Sequence, residues 1–125
     1  MSNKTKLLVV DDDPGIRDLL KQFLEKKGGY EVVVAESADD GLRTALSARP
    51  QLVVVDLMLT GRPGLELIHD LRGHVDLKHL PIVVCSARQS IVDRLECLDG
   101  GASAFFSKPM DLEAMRRKID ELLGR

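Results

Sequence analysis

The chain reads as an α/β protein: a five-stranded parallel sheet with helices on both faces. Three observations predict this. Five short apolar runs recur along the 125 residues. Each is followed by a helical spacing of apolar residues, so that strand and helix alternate strictly. The middle three runs are continuous and rich in Val and Ile, as expected of strands covered on both sides. Strands of such a sheet are joined by right-handed crossovers.

The elements follow in order. The first run, Leu7–Val10, ends on Asp11, Asp12 and Asp13. Pro14 suits the first turn of a helix, and Asp13 is placed to cap it, where the helix dipole favours a negative group. Ile16, Leu19, Leu20, Phe23 and Leu24 form one apolar stripe, and Gly28-Gly29 suits the stop. After Val32–Ala35, Ser37 can cap a second helix carrying Leu42, Ala45 and Leu46, which ends before Pro50. After Leu52–Val55, a third helix runs from about Gly64 to Arg72 with Leu67, Ile68 and Leu71 inward. After Ile82–Cys85, a fourth carries Ile91, Leu95 and Leu98 and ends at Gly100-Gly101. After Ala104–Phe106, Asp111 can cap the fifth, with Met115, Ile119 and Leu122 inward, and Leu123-Gly124-Arg125 closes it. No repeat, linker or low-complexity segment interrupts this order. The expected organisation is one domain over residues 1–125, with a core over about 5–124 and no output domain.

Bulk chemistry narrows the function classes. Lys+Arg number 18 against Asp+Glu 20, a net charge of -2, and no basic stripe stands out, so direct nucleic-acid binding is not expected. The polar start, Met1 to Lys6, precedes only four strongly apolar residues. No signal peptide or membrane span is predicted, and the expected location is the cytoplasm. Cys85 and Cys97 match no metal or redox spacing and read as packing residues. His69, His74 and His79 lie five apart, a spacing that does not stack on one helical face, and read as solvated.

In an open parallel sheet, function gathers beyond the carboxyl ends of the strands. The residues found there are Asp11, Asp12 and Asp13, then Glu36 and Ser37, then Asp56, then Ser86, then Ser107 and Lys108. Carboxylates from two strands, a hydroxyl and a lysine thus share one edge. Clustered carboxylates need a cation, or one must take up a proton. Oxygen ligands of this kind suit Mg²⁺, and a carboxylate beside a metal can act as a nucleophile and form an aspartyl-phosphate. Helix capping alone does not account for Asp56, which is followed by Leu57-Met58-Leu59, or for Lys108 immediately before Pro109.

The segments VVDDDP, VVVDLMLTGRPG, IVVCSA and GGASAFFSKP, in that order, resemble a response-regulator receiver domain. The resemblance covers nearly the whole chain, from Leu7 to the last helix. It implies a doubly wound, flavodoxin-like (βα)5 fold with strand order 2-1-3-4-5 and a role in two-component signalling. Asp56 would be the phosphoacceptor, charged by a sensor histidine kinase, a phosphotransfer protein or a small phosphodonor. Asp12 and Asp56 would ligate Mg²⁺ or Mn²⁺ with the backbone carbonyl of Met58, and Asp11 would assist through water. Lys108 and Ser86 would bind phosphoryl oxygens. Lys108–Pro109 would be a cis peptide. Ser86 and Phe105 would form the switch that alters the face of helix four, strand five and helix five for a downstream effector or output domain. Met58 and Arg88 would shield the acyl phosphate and slow its loss.

The sequence also departs from the family. Ser86 replaces the commoner Thr, and Phe105 lacks the hydroxyl of the commoner Tyr. Thr60 stands where Pro is common, Arg62-Pro63 is unusual in its loop, and Gly28-Gly29 and Gly100-Gly101 are each one glycine richer than typical. Ser103-Ala104 replaces a usually acidic pair, which weakens the case for the family's dimer and leaves monomer or weak dimer as the expectation. Three other readings compete. DLMLT partly mimics the signature of haloacid-dehalogenase-like phosphatases, but Met58 stands where their acid/base aspartate belongs. A flavin carrier of the same topology would need a phosphate loop that is missing after the first strand. A degenerate receiver serving only as an interaction module would not need the full set of acids, hydroxyl and lysine.

Overall fold

The computed structural model describes residues 4–87 and 90–125. Strands β1 (Lys6–Val10), β2 (Glu31–Ala35), β3 (Leu52–Val55), β4 (Ile82–Ser86) and β5 (Ala104–Ser107) alternate with helices α1 (Pro14–Gly28), α2 (Ala38–Ala48), α3 (Gly64–Gly73), α4 (Ile91–Asp99) and α5 (Leu112–Leu122). All strand pairings are parallel, and the order is β2-β1-β3-β4-β5. The predicted fold class and strand order both hold. The strands extend by one residue at one end or the other beyond most of the apolar runs, because backbone pairing continues past the last hydrophobic side chain.

Alternate side chains on the central strands feed two cores. Leu8 and Val10 join Val53, Val55, Ile82 and Val84 against α2 and α3, with Ala45, Leu67, Ile68 and Leu71. Leu7 and Val9 join Leu52, Val54, Val83 and Cys85 against α1 and α5, with Leu20, Leu24, Met115 and Ile119. Burial of so many aliphatic side chains is the main stabilising term, roughly 1.5–3 kcal/mol for each one fully buried.

Three patterning expectations need correction. β2 is an edge strand, so its Val34 is exposed rather than covered on both faces. Leu19 leaves the predicted α1 stripe and is exposed, while Leu20 and Leu24 carry the burial. On α4 the expected apolar residues point outward: Ile91, Leu95 and Leu98 are exposed together with Val92, and Cys97 is the buried residue of this helix. Cys97 joins the core on the α2/α3 side.

The caps explain the helix boundaries. Asp13 accepts from the Gly15 amide, Ser37 from Asp40, and Asp111 from Ala114, as predicted. Ser90 does the same for α4. Gly29, with φ of 73°, ends α1 in the left-handed conformation that glycine adopts without strain.

Candidate functional site

Register brings the site together. Val10 pairs with Val55, so the next residues, Asp11 and Asp56, emerge side by side at the carboxyl edge. Backbone bonds fix both: the Asp11 amide donates to the Ala35 carbonyl at 3.1 Å, and the Asp56 amide to the Val10 carbonyl at 3.0 Å. On the other side, Ser86 pairs with Ser107, and the Lys108 amide donates to the Ser86 carbonyl at 2.9 Å. The peptide between Lys108 and Pro109 is cis.

The side chains converge from these positions. The Lys108 ammonium donates to Asp11 Oδ2 at 2.7 Å and to Asp56 Oδ2 at 3.0 Å, so one cation bridges two buried carboxylates. Asp11 Oδ1 accepts from the Asp13 amide, and Asp56 Oδ1 from the Met58 amide. Asp12 is less buried, and its Oδ2 accepts from both the hydroxyl and the amide of Thr60. One carboxylate oxygen from each of Asp11, Asp12 and Asp56 lies within 4.8 Å of the others.

Among the described residues, these three carboxylates are met by the Lys108 ammonium, while the Arg17 guanidinium donates to the Asp11 carbonyl. Burial pushes the Asp11 carboxyl above its ordinary range against the hydrogen bonds from Lys108 and the Asp13 amide, and the charge of Asp56 adds to the rise. Burial opposes the Lys108 ammonium, but its bonds to Asp11 and Asp56 outweigh that and raise it. The Asp11 rise follows first from burial, and the Lys108 rise from its two carboxylate partners. An all-oxygen, acidic donor set of this kind fits a hard divalent cation such as Mg²⁺. The histidines take no part; His69 and His79 are exposed, and His74 Nδ1 accepts from the Asp76 amide.

Ser86 is fully buried at the end of β4. Phe105, on β5, is partly buried against the α2/α3-side core, and the Arg94 guanidinium of α4 sits 5.1 Å from its ring centroid. Met58 is half-exposed beside Asp56. Glu36 is exposed, and Ser37 caps α2, so neither joins the cluster. Arg88 lies outside the described residues.

Several contributors carry no signal of their role in the sequence. Thr60 stands out there only as a departure from Pro, yet it holds Asp12. Arg62 pairs with Asp39 and Asp70, each at 2.6 Å, and with Glu66 at 3.1 Å, fastening the loop after Asp56 to α2 and α3. Gly64 lets the start of α3 approach the backbone of Asp56: a Cβ there would lie 2.1 Å from the Asp56 carbonyl oxygen. In sequence, a glycine ahead of a helical stripe signals a helix start equally well, so its closeness to Asp56 left no separate trace.

A parallel α/β sheet with a lysine bridging strand-end carboxylates defines a receiver-type module. The model of the response regulator receiver domain matches residues 7–120, and the chain belongs to that family, the receiver domain of two-component response regulators. Response regulator MprA of Mycobacterium tuberculosis is 38% identical over 120 residues, covering 96% of this chain and 51% of that protein. Response regulator Rre1 of Synechocystis is 33% identical over 125 residues, 100% of this chain and 54% of that protein. The chain thus spans about half the length of these curated relatives. Among solved structures, a CheY-like receiver domain protein from Methanospirillum hungatei has 30% identity and a TM-score of 0.90, covering 98% of this chain and 95% of that one. Chemotaxis response regulator CheY4 of Vibrio cholerae has 26% identity and a TM-score of 0.87, covering 95% and 98%. No phosphatase of the haloacid-dehalogenase type appears among these relatives, and that reading has no support.

Proposed function

We propose that this chain is the phosphoacceptor of a two-component phosphorelay and that Asp56 receives the phosphoryl group. The observation that carries this is Lys108 bridging Asp56 and Asp11 at the carboxyl edge of the sheet. An oxygen of the Asp56 carboxylate forms the new bond to phosphorus while the donor's bond to phosphorus breaks, and the leaving group keeps the bonding electrons. The donor is a sensor histidine kinase or a phosphotransfer protein. Lys108 supplies fixed positive charge to the phosphoryl oxygens, and the Ser86 hydroxyl donates to another. Asp11, Asp12, Asp56 and the Met58 carbonyl would hold Mg²⁺ or Mn²⁺, Asp11 through water. When bound, the ion supplies charge that offsets the acidic pocket and the phosphoryl group. The chain acts as a signalling receiver assisting its own phosphorylation and dephosphorylation, as a monomer or weak dimer in the cytoplasm, with residues 1–125 as one domain.

The phosphoryl group adds about 1.5–2 negative charges. Drawing Ser86 toward it leaves room for Phe105 to turn inward, away from Arg94, and so alters the α4-β5-α5 face met by an effector or output domain. Because Phe105 has no hydroxyl, this switch is steric. Met58, half-exposed beside Asp56, is placed to shield the acyl phosphate, so self-dephosphorylation should be slow; a half-life of only seconds at neutral pH would contradict that shielding. Incubation with Mg²⁺ and acetyl phosphate, followed by mass and acid-stability analysis, tests the central claim. Wild type should gain one acid-stable, base-labile phosphoryl group, and Asp56→Asn should gain none. Equal labelling of both would refute it.

A further inference from the structure

The loop between β3 and α3 alternates in exposure. Leu57 and Leu59 are buried in the core on the α2/α3 side, while Met58 and Thr60 point outward. This alternation aims Thr60 at the acidic pocket. Its hydroxyl lies 2.7 Å and its amide 3.2 Å from the same oxygen, Asp12 Oδ2. A hydroxyl bond of that length to a carboxylate is in the short, charge-assisted range. Beyond Thr60, Gly61 turns with φ of 84°, and Arg62 fastens the loop through Asp39, Glu66 and Asp70. Thr60 is therefore held against Asp12 by a loop tied down on both sides. An aspartate only half-buried, as Asp12 is, would otherwise sample several rotamers, and ordering it costs free energy on each binding event. A proline at this position would offer neither the N–H nor the hydroxyl.

We propose that Thr60 is a positioning residue for divalent-cation binding: its hydroxyl and amide fix Asp12 Oδ2 and leave the other carboxylate oxygen for the cation. Two donors fill the lone pairs of one oxygen, so carboxylate orientation is set before the ion arrives. This rests on the reading of Asp12 as a cation ligand. It also links the β3–α3 loop to cation occupancy, because loosening the loop frees Asp12.

Calorimetric titration of Mg²⁺ into the full chain tests both layers separately. Wild type should bind one ion, and Asp12→Asn should bind far more weakly. If wild type binds none, or Asp12→Asn binds as well, the cation-site reading itself fails and the role of Thr60 falls with it. Given that first result, Thr60→Val, which keeps the shape and removes the hydroxyl, should weaken Mg²⁺ affinity on the order of tenfold, as loss of an outer partner of a metal ligand does. Thr60→Ser should restore it, and Thr60→Pro should weaken it further. Unchanged or tighter binding in Thr60→Val, or failure of Thr60→Ser to rescue, would overturn the proposal; tighter binding would mean that the hydroxyl competes with the ion. Amide exchange in chelator gives a second reading. Exchange at residue 60 should be faster in Thr60→Val than in wild type, and equal rates would count against the clamp.

Discussion

Adjacent residues in the Asp11–Asp13 run do separate work, and the backbone decides which. Asp11 still belongs to the strand ladder and is buried against Lys108; Asp12 turns toward Thr60; Asp13 caps α1. Asp12→Ala should therefore weaken Mg²⁺ binding and phosphorylation, whereas Asp13→Ala should cost mainly stability, about 0.5–2 kcal/mol in denaturant melts. Equal loss of Mg²⁺ affinity in the two variants would contradict this division. The cap on Asp13 was readable because a short polar residue before Pro is a local signal. The bond from Lys108 to Asp11 was not, because nothing local specifies a partner 97 positions away; only the sheet edge common to both was legible. Lys108→Met leaves two buried carboxylates facing each other without their bridge. Removing one partner of such a pair costs about 3–5 kcal/mol when burial is complete. Stability of Lys108→Met in chelator should fall toward that range, and saturating Mg²⁺ should recover part of it. No recovery would mean that the pocket holds no cation.

Elements show where periodicity is informative and where it is blind. The stripes of α3 and α5 identified their buried faces correctly: Leu67, Ile68 and Leu71 share one core with side chains of β3 and β4, and Met115 and Ile119 share the other. The same reasoning on α4 selected Ile91, Leu95 and Leu98, all exposed. Periodicity reports an apolar face but not what covers it, and this face is the one proposed to change on phosphorylation. Close approach is equally invisible in sequence. The α3 amide of Gly64 donates to the Leu57 carbonyl at 3.0 Å, and this packing leaves no room for a Cβ. The clash in Gly64→Ala is with backbone, so it cannot be relieved by a rotamer change. The variant should lose at least the upper end of the about 1–3 kcal/mol typical of overpacking. Its Asp56 should also label more slowly with acetyl phosphate, since the displaced backbone carries that residue. A melt unchanged from wild type would show that α3 can shift without cost. Arg72 adds a second, half-buried tie, donating to the Lys78, Leu80 and Gly101 carbonyls and so joining α3 to the segments that lead into β4 and β5.

At the scale of the molecule, the chemistry sits at one edge of the sheet, and a second cluster of contacts away from that edge fastens α5 to the rest of the chain. Alternation of apolar runs was enough to predict both faces, since a parallel sheet must be covered twice. It did not reveal that Tyr30, at the α1–β2 junction, is fully buried and donates its hydroxyl to Asp120 of α5. Arg116 pairs with the same carboxylate at 2.7 Å, and the Arg125 guanidinium lies 4.5 Å from the Tyr30 ring centroid. This cluster ties the chain's last helix to the start of β2. Burial, and then the carboxylate it bonds, pushes the Tyr30 hydroxyl up to about 12 from its ordinary 10. A raised folded-state pKa stabilises the protonated form, so the contribution is fully present below pH 10 and is lost as pH rises toward 12. Tyr30 is the single tyrosine and the chain has no tryptophan, so tyrosinate absorbance reports this residue alone. In folded protein its midpoint should lie near the raised value, and Asp120→Asn should move it back toward 10. Tyr30→Phe should be less stable than wild type at neutral pH by about 0.5–1.5 kcal/mol, the worth of the hydrogen bond. That gap should close as pH climbs above 10, because wild type alone then loses stability to ionisation of its unfolded chain. A constant gap across the alkaline range, or a tyrosinate midpoint at 10 in the folded protein, would show that the hydroxyl is not held as the structure places it.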